Sequence, residues 1–298
     1  MYLGPDERIM IVSKFSIITV CLNAGKEIEQ TIRSVLQQTS ADFEYLIKDG
    51  GSRDETVNIA RSFIPAFAER GISYQIIVQP DGGIYDAMNQ AVRKAQGEWV
   101  LYMNAGDCFA DHSVLEHFAE KADMDGVDVV YGDRILKNAR EGLYCYQKAF
   151  ALERMRVQLP FCHQSVFARR QLFDEYYFSV EYRVCSDYLF FLKLYRNNKR
   201  FVYCPIAVCI YALYGTSSNW RLNIGERTEI LEQMTPRDEE AIRFLKEEYK
   251  KREHEEWMHN ILWKHISQSV RAKRYLWKKR KAGWKTAEEM FGSERAEK

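Results

Sequence analysis

The chain has 298 residues, of which 46% are hydrophobic and 29% charged, and its formal net charge is +1. These values are ordinary for a globular protein and exclude a disordered tail protein, a collagen-like repeat and a small disulfide-stapled scaffold. The near-zero net charge leaves no global field that would attract nucleic acid or a membrane.

The first half of the chain alternates between apolar, β-branched segments and segments with helical spacing of apolar residues. Strands separated by helices of ten to fifteen residues indicate βαβ units. We therefore predict an α/β fold with a Rossmann-like, mostly parallel sheet flanked by helices. The predicted strands are residues 15–22, 43–48, 73–79, 99–103 and 127–131, and the predicted helices are residues 26–38, 52 to about 70, 84–95 and 112–121.

An Asn or Asp beside a glycine follows each of the first four predicted strands. These residues are common turn formers, so one such turn carries no functional information. Ligands of open α/β sheets bind beyond the carboxyl ends of the strands, and four polar turns there predict a pocket. The turns are Asn23-Ala24-Gly25, Asp49-Gly50-Gly51-Ser52, Asp81-Gly82-Gly83 and Asn104-Ala105-Gly106-Asp107.

The predicted pocket is rich in carboxylates and lacks the usual phosphate-binding motifs. Neither G-x-G-x-x-G after the first strand nor G-x-x-x-x-G-K-[ST] is present, which disfavours a dinucleotide oxidoreductase and a P-loop NTPase. Carboxylates repel a diphosphate unless a divalent cation bridges the two groups. The pattern therefore predicts Mn²⁺ or Mg²⁺ as a cofactor.

Five segments carry a family resemblance as an ordered set. They are TVCLN at 19–23, DGGSRDET at 49–56, DGGIYDAMNQAVRKAQGEWVLYMNAGD at 81–107, HQSVF at 163–167 and SDYLFFLKLY at 186–195. Together they resemble glycosyltransferase family 2, of the GT-A fold, and most closely its bacterial branch that builds O-antigen, capsule and exopolysaccharide. The resemblance covers about residues 15–219. It implies inverting transfer of a sugar from a nucleoside-diphosphate sugar, most often of UDP, to an acceptor hydroxyl.

The resemblance assigns the nucleoside to the first two strand ends. Thr19 and Asn23 are expected beside the base and ribose, and Asp49 matches the carboxylate that holds the nucleoside. A carboxylate at a strand end accepts two hydrogen bonds from a ribose diol or a base N–H. For Ser52 and Asp54, contact with the ligand and capping of the next helix are equally good interpretations.

The sugar and the diphosphate are assigned to the next segments. Asp81 is expected to receive sugar hydroxyls. Asp86 and Asn89 lie three residues apart on one helical face along the donor pocket, although Asp86 also suits a helix N-terminus. His163 and Gln164 are expected to contact the diphosphate or the acceptor, and the alternative for His163 is a core residue.

The segment from Asn104 to Asp107 occupies the family's DxD position but departs from the common Asp-x-Asp-Asp form. Only Asp107 retains a carboxylate, and Asn104 replaces the first one. One carboxylate, with phosphate oxygens and water, still suffices to hold a divalent cation. Asp107 is therefore the predicted metal ligand, with a helix cap as the alternative.

Asp187 is the predicted catalytic base, because it matches the late Glu-Asp position of the family, here Ser186-Asp187. Inverting transfer needs one base to take the acceptor proton, and the leaving diphosphate needs no general acid. The alternatives are a nucleotidyltransferase, which lacks its phosphate loop here, and a non-catalytic nucleotide-sugar binding module.

We divide the chain into a GT-A domain at residues 1–219 and a helical, basic extension at residues 220–298. Residues 271–285 hold eight basic residues and three large aromatic residues, Tyr275, Trp277 and Trp284. Such a segment favours contact with an anionic membrane surface over nucleic acid, and a packing arm in a homodimer is the alternative. The expected acceptor is a glycan or a polyprenyl-linked glycan, reached from the cytoplasm at the inner membrane face.

Overall fold

The computed structural model describes residues 13–213, 219–262, 278–279 and 281–291. Its strands are β1 (Phe15–Cys21), β2 (Phe43–Asp49), β3 (Ser73–Val78), β4 (Trp99–Tyr102), β5 (Cys108–Phe109), β6 (Val129–Asn138), β7 (Leu143–Gln147), β8 (Val166–Arg169), β9 (Phe201–Ala212) and β10 (Lys285–Thr286). Its helices are α1 (Ile28–Leu36), α2 (Thr56–Ser62), α3 (Ile64–Glu69), α4 (Ile84–Val92), α5 (Val114–Ala122), α6 (Leu172–Glu175), α7 (Ser186–Arg196), α8 (Trp220–Gln233), α9 (Glu239–Leu262) and α10 (Ala287–Phe291).

One continuous sheet organises the described residues, in the order β10-β7-β6-β8-β4-β1-β2-β3, with β9 beside β6 and β5. β1 pairs in parallel with β2 and β4, and β2 pairs in parallel with β3. The predicted parallel arrangement therefore holds for the first four strands. The other side is mixed, because β8 is antiparallel to both β4 and β6 while β9 is parallel to β6.

The first three strands end level with one another. In the register of the sheet, Cys21 lies opposite Asp49, and Asp49 lies opposite Val78. The turns that follow these strands therefore meet at one edge, as the strand pattern predicts.

Two apolar clusters cover the two faces of the sheet. Alternate residues of β1 belong to different clusters: Ile18 and Val20 contribute to one, and Phe15 and Ile17 to the other. This alternation follows from the two-residue period of a strand. The first cluster includes residues of α4, α7 and α8, whereas the second includes residues of α1 and α5.

The prediction of one continuous helix from residue 52 to about 70 is wrong. The chain forms α2 and α3 instead, with Phe63 between them and a proline in the first turn of α3. Proline lacks the N–H that a continuous helix requires and is well placed in a first turn. The strand predicted at 127–131 extends to Asn138, because β9 pairs with the whole of β6.

The helices α8 and α9 share the core of the preceding residues. Ile224, Ile230, Leu231 and Leu245 are buried in the same cluster as β1 and α4. In the described part of the chain, a boundary at residue 219 therefore does not separate two cores.

The basic segment at 271–285 lies mostly outside the described residues, as do Tyr275 and Trp277. Of its described part, Lys279 forms an ion pair with Glu141 at 3.0 Å and lies 4.2 Å from the ring centroid of Trp284. Within the residues that the structure describes, no helix has the length and apolarity required to cross a membrane.

A close approach of two backbones at Gly97 yields a stability prediction. A Cβ at Gly97 would lie 2.6 Å from backbone atoms of Phe15 and Ser16. We expect Gly97→Ala to lower the free energy of unfolding by about 1–3 kcal/mol, through overpacking, as measured by urea denaturation. Gly225→Ala in α8 is the matched control, because its Cβ meets nothing within 4 Å. This control should be neutral or stabilising by up to about 1 kcal/mol, and equal losses in both variants would contradict the packing argument.

Candidate active site

A cavity of about 770 Å³ opens between the strand ends and the C-terminal helices. Five of the predicted site residues line it, namely Asn104, Asp107, His163, Gln164 and Asp187. The same cavity contains side chains that the sequence analysis did not assign, including Glu27, Tyr85, Arg134, Arg183, Trp220, Asn223, Arg227 and Arg252.

Asp187 lies in the first turn of α7, and two donors fix its carboxylate. Its Oδ1 accepts a hydrogen bond from the Tyr85 hydroxyl at 3.1 Å and one from the backbone N–H of Tyr188 at 2.8 Å. Its Oδ2 lies 3.7 Å from Nδ1 of His163. Burial raises the pKa of the Asp187 carboxyl to about 6, against the opposing effect of the two donors. The group is therefore ionised at neutral pH and more basic than an exposed aspartate.

His163 is neutral at physiological pH, because burial lowers its pKa to about 4. Its ring lies 5.4 Å from the ring of Tyr102 and 5.7 Å from that of Phe178, measured between centroids. Both ring nitrogens are buried and have no hydrogen-bond partner among the described residues. His163 and Asp187 are thus neighbours rather than an ion pair, and the imidazole retains free hydrogen-bonding capacity.

A buried glutamate in α8 holds the loop that leads to Asp187. The Glu226 carboxylate accepts hydrogen bonds from the backbone N–H groups of Arg183 at 2.8 Å, Val184 at 3.0 Å and Cys185 at 2.9 Å. These groups immediately precede the first turn of α7. The C-terminal helix α8 therefore fixes the direction from which Asp187 enters the cavity.

Asp107 is a buried carboxylate with one donor on each oxygen. Oδ1 accepts from the backbone N–H of Ala212 at 2.9 Å, and Oδ2 accepts from Nε2 of Gln164 at 2.9 Å. The Cys162 thiol donates to Oε1 of Gln164 at 2.8 Å, which fixes the orientation of that amide. Burial raises the pKa of the Asp107 carboxyl to about 7, in spite of the two donors.

The candidate metal ligands in this region are oxygen atoms. Within the described residues, no group of three or more His, Cys, Asp or Glu side chains is arranged to hold a metal ion. Asn104, in the same turn as Asp107, has a buried Oδ1 without a hydrogen-bond partner. A carboxylate and an unsatisfied amide oxygen are ligands that Mn²⁺ and Mg²⁺ accept. The turn therefore fits part of a coordination shell, whose remaining positions a diphosphate and water would fill.

The predicted nucleoside residues lie at the strand ends, outside the residues that line the cavity. The buried Asp49 carboxylate accepts from the backbone N–H groups of Gly51 at 2.9 Å and Ser52 at 2.7 Å, and from the Ser52 hydroxyl. The Ser52 hydroxyl in turn accepts from the backbone N–H of Asn23 at 2.7 Å. Asn23 has a φ of 52°, and its Oδ1 accepts from the N–H of Arg53. The structure thus joins Asn23, Asp49 and Ser52 into one braced pair of turns.

Asp81 forms a buried ion pair with Lys48, a residue that the sequence analysis did not single out. The Lys48 ammonium donates to Oδ2 of Asp81 at 2.7 Å and to the carbonyl of Gln79 at 2.6 Å. Lys48 is fully buried and the Asp81 side chain is 10% exposed. The other Asp81 oxygen accepts from the N–H of Gly83 at 3.1 Å. The pair ties the end of β3 to the end of β2.

Two of the residues predicted along the donor pocket form hydrogen bonds within the protein. Asn89 clamps the backbone of Phe178, donating to its carbonyl at 2.7 Å and accepting from its N–H at 3.0 Å. Asp86 accepts from the N–H of Gly82 and from the Gln90 side chain. Neither residue is among those that line the cavity.

Thr19 forms hydrogen bonds within the sheet. Its side chain is fully buried, donates to the carbonyl of Met103 at 2.6 Å and lies 2.8 Å from the Tyr45 hydroxyl. Its hydroxyl therefore joins β1 to the end of β4.

The sequence carries a signal for some of the residues that the analysis missed. Lys48 is a charged residue within the apolar segment of β2, and Tyr85 lies inside the quoted GIYDAMN segment. No local pattern singles out Glu226, because its function depends on the packing of α8 against a distant loop. Glu27 contributes a carboxylate to the cavity close to Gly106.

The sheet order and the carboxylate-lined cavity define an α/β enzyme with the GT-A architecture. Residues 16–199 match the family described as Glycosyl transferase family 2. The chain is 34% identical, over 213 residues, to a PGL/p-HBAD biosynthesis glycosyltransferase of Mycobacterium bovis, covering 70% of this chain and 81% of that protein. The chain therefore belongs to glycosyltransferase family 2, and the predicted family and fold are confirmed.

Solved structures share the fold at low sequence identity. Staphylococcus aureus TarS in complex with UDP superposes with a TM-score of 0.58 and 18% identity, covering 87% of this chain and 77% of the other. The mannosyltransferase PcManGT of Pyrobaculum calidifontis, solved with GDP-Man and Mn²⁺, gives a TM-score of 0.60 and 17% identity, covering 79% and 69%. At these identities the comparison shows the fold alone.

The buried ion pair between Lys48 and Asp81 yields a prediction for the strand-end turns. Lys48→Met leaves the Asp81 carboxylate without its cation, and we expect a loss of about 3–5 kcal/mol in the free energy of unfolding. The measurement is chemical denaturation, with the exposed Lys94→Met as the control, which should change stability by no more than about 0.5 kcal/mol. Indistinguishable stabilities of the two variants would show that the pair does not support the turns.

Proposed function

We propose that this glycosyltransferase inverts the anomeric centre of a nucleoside-diphosphate sugar, with Asp187 as the base that accepts the acceptor proton. The observation that carries this proposal is the position of Asp187, which lines the cavity and whose Oδ2 has no hydrogen-bond donor among the described residues. The raised pKa of about 6 leaves this carboxylate ionised at pH 7 and strengthens it as a proton acceptor.

The surrounding groups support this role. The Tyr85 hydroxyl stays protonated, because burial and the Asp187 charge raise its pKa, and it orients Oδ1 as a donor. The N–H of Tyr188 does the same from the first turn of α7. Both donors engage Oδ1, which leaves Oδ2 for the hydroxyl that attacks the sugar. Displacement of a diphosphate needs no protein acid, so one carboxylate suffices.

We also propose that Asp107 and Asn104 hold Mn²⁺ or Mg²⁺ together with the donor diphosphate. When bound, the cation neutralises the charge that develops on the leaving diphosphate. The buried carboxylate of Asp107 and the unsatisfied Oδ1 of Asn104 support this assignment. The nucleoside, with UDP as the first candidate, is assigned to the turns of Asn23, Asp49 and Ser52.

For the acceptor, we propose a glycan or polyprenyl-linked hydroxyl in the synthesis of bacterial surface polysaccharide. The relative that shares 34% identity, a PGL/p-HBAD biosynthesis glycosyltransferase of Mycobacterium bovis, supports a biosynthetic role in bacteria. We also propose that the basic segment 271–285 makes peripheral contact with an anionic membrane. Trp284 belongs to the described part of this segment and packs against Lys279, so its ring is less available to lipid than the sequence predicts.

Replacing the proposed base tests the transfer mechanism. We expect Asp187→Asn to lower the transfer rate, or the slow hydrolysis of the donor, by about 10²–10⁴-fold, because an amide does not accept the proton. Nucleotide affinity, measured by calorimetry, should stay within about twofold. Glu116→Gln, in the first turn of α5, is the matched control and should behave like the unmodified protein.

Two outcomes would contradict this proposal. Unchanged turnover in Asp187→Asn would remove Asp187 from the mechanism. Nucleotide-sugar binding without transfer or hydrolysis in the unmodified protein would favour a binding module.

The pKa of Asp107 yields a test for the metal. A proton and a cation compete for this carboxylate, so the gain in UDP affinity on adding Mn²⁺ should shrink as the pH falls through about 7. Asp107→Ala should reduce this gain at least about tenfold at pH 8 and remove its pH dependence. Calorimetric titrations of UDP with and without Mn²⁺ measure both effects, with the exposed Asp125→Ala as the control. An undiminished Mn²⁺ effect in Asp107→Ala would assign the metal to other residues.

A further inference from the structure

The end of the cavity formed by α8, α9 and the loop before α7 is lined by three guanidinium groups. Arg183 belongs to that loop, Arg227 to α8 and Arg252 to α9. Trp220 and Asn223 of α8 complete the surface, which we call the arginine wall. No step of the proposed transfer reaction uses these side chains.

Arg227 carries the strongest indication of a missing anion. It is 6% exposed, and burial lowers its pKa. Its Nη1 donates to the carbonyl of Val157 at 2.7 Å and its Nε to that of Asn223 at 3.4 Å. Among the described residues no carboxylate forms an ion pair with it, and its neighbour Glu248 is paired with Arg252 at 2.9 Å. A buried cation held by neutral carbonyls gains free energy when an anion arrives.

The other two arginines differ from Arg227 in their surroundings. Arg183 is exposed at the cavity, and the nearby carboxylate of Glu226 is already bound to three backbone N–H groups. The Glu248 carboxylate forms an ion pair with Arg252, and its charge also acts on the Arg227 guanidinium. Three guanidinium groups thus line the cavity. The two carboxylates next to them are already engaged, Glu226 with backbone N–H groups and Glu248 with Arg252.

The position of the wall assigns the anion to the acceptor rather than to the donor. The diphosphate is assigned to the turn of Asn104 and Asp107, whereas Arg183 lies four residues before Asp187 on the loop that carries the base. In an inverting displacement the acceptor hydroxyl approaches from the side opposite the leaving diphosphate, next to the base. A group bound by the wall therefore accompanies the acceptor.

We propose that the arginine wall binds an oxyanion, a phosphate ester or a carboxylate, that the acceptor carries near the hydroxyl that receives the sugar. This inference rests on the proposed function of the same cavity. Guanidinium groups present forked donors that match phosphate and carboxylate oxygens. Trp220 lines the cavity beside them and adds apolar surface for the body of the acceptor, while Arg221 lies over its ring at 4.6 Å. A neutral glycan would leave the buried charge of Arg227 dependent on the Glu248 carboxylate, which is already paired with Arg252.

The test uses small acceptor-like probes on the full chain with UDP and Mn²⁺ at saturation, so that the donor diphosphate position is filled. The probes are glycerol 3-phosphate, glycerate and the neutral control glycerol, and calorimetry measures their affinity. We expect at least one anionic probe to bind and glycerol not to bind. Arg183→Gln and Arg227→Lys should each weaken the binding of the anionic probe at least about tenfold, because each loses a charge-assisted hydrogen bond. Arg243→Gln, exposed on α9 and outside the cavity lining, should have no effect.

The outcomes separate the two proposals. Binding of the phosphate alone or of the carboxylate alone identifies the source of the oxyanion. Absence of binding by both anions, equal binding of glycerol, or full affinity in Arg183→Gln and Arg227→Lys would overturn the inference. The probe titrations are repeated without nucleotide, and UDP binding is measured by itself. A failure to bind UDP would contradict the proposed function but not the proposal for the arginine wall. Since Arg183 is exposed, its variant keeps the test valid if Arg227→Lys fails to fold.

Discussion

The carboxylate of Glu226 receives three consecutive backbone N–H groups, those of Arg183, Val184 and Cys185, and the arrangement of the cavity depends on this interaction. It attaches α8 to the loop that enters α7, so it places Asp187 relative to the sheet. The same helix contributes Arg227 to the cavity and Ile224 to the core. One buried acceptor thereby couples the C-terminal helices to the chemistry at the strand ends.

Burial then sets the electrostatics of the site. The carboxyls of Asp187 and Asp107 both have raised pKa values, but their partners differ. Asp187 lines the cavity and has one oxygen without a donor, whereas each oxygen of Asp107 already accepts a hydrogen bond. Asp107 lies in the same turn as Asn104, whose amide oxygen has no hydrogen-bond partner among the described residues. This difference suits a proton acceptor in one case and a cation ligand in the other. The neutral His163 between apolar rings adds no charge.

The strand-end turns follow a different principle from the cavity. Asp49 and Asp81 are satisfied by the protein itself, through the N–H groups of the adjacent turn and through Lys48. Such internal bracing fixes the backbone before a ligand arrives, which reduces the ordering cost of binding. The cavity, where substrates are expected, keeps buried polar atoms that have no hydrogen-bond partner among the described residues, namely Oδ1 of Asn104 and both ring nitrogens of His163.

The sequence by itself determined the alternation of strands and helices, the family, and the placement of Asn104, Asp107, His163, Gln164 and Asp187 in one cavity, because local periodicity and motif order report these features. It did not determine the environment of each side chain. The side chains of Thr19 and Asn89 donate to the carbonyls of Met103 and Phe178, and such partners depend on packing against distant segments. The function of Glu226, the pairing of Lys48 with Asp81 and the arginine wall likewise arise from residues far apart in the chain. Only tertiary structure brings such groups together, and burial there decides their charge.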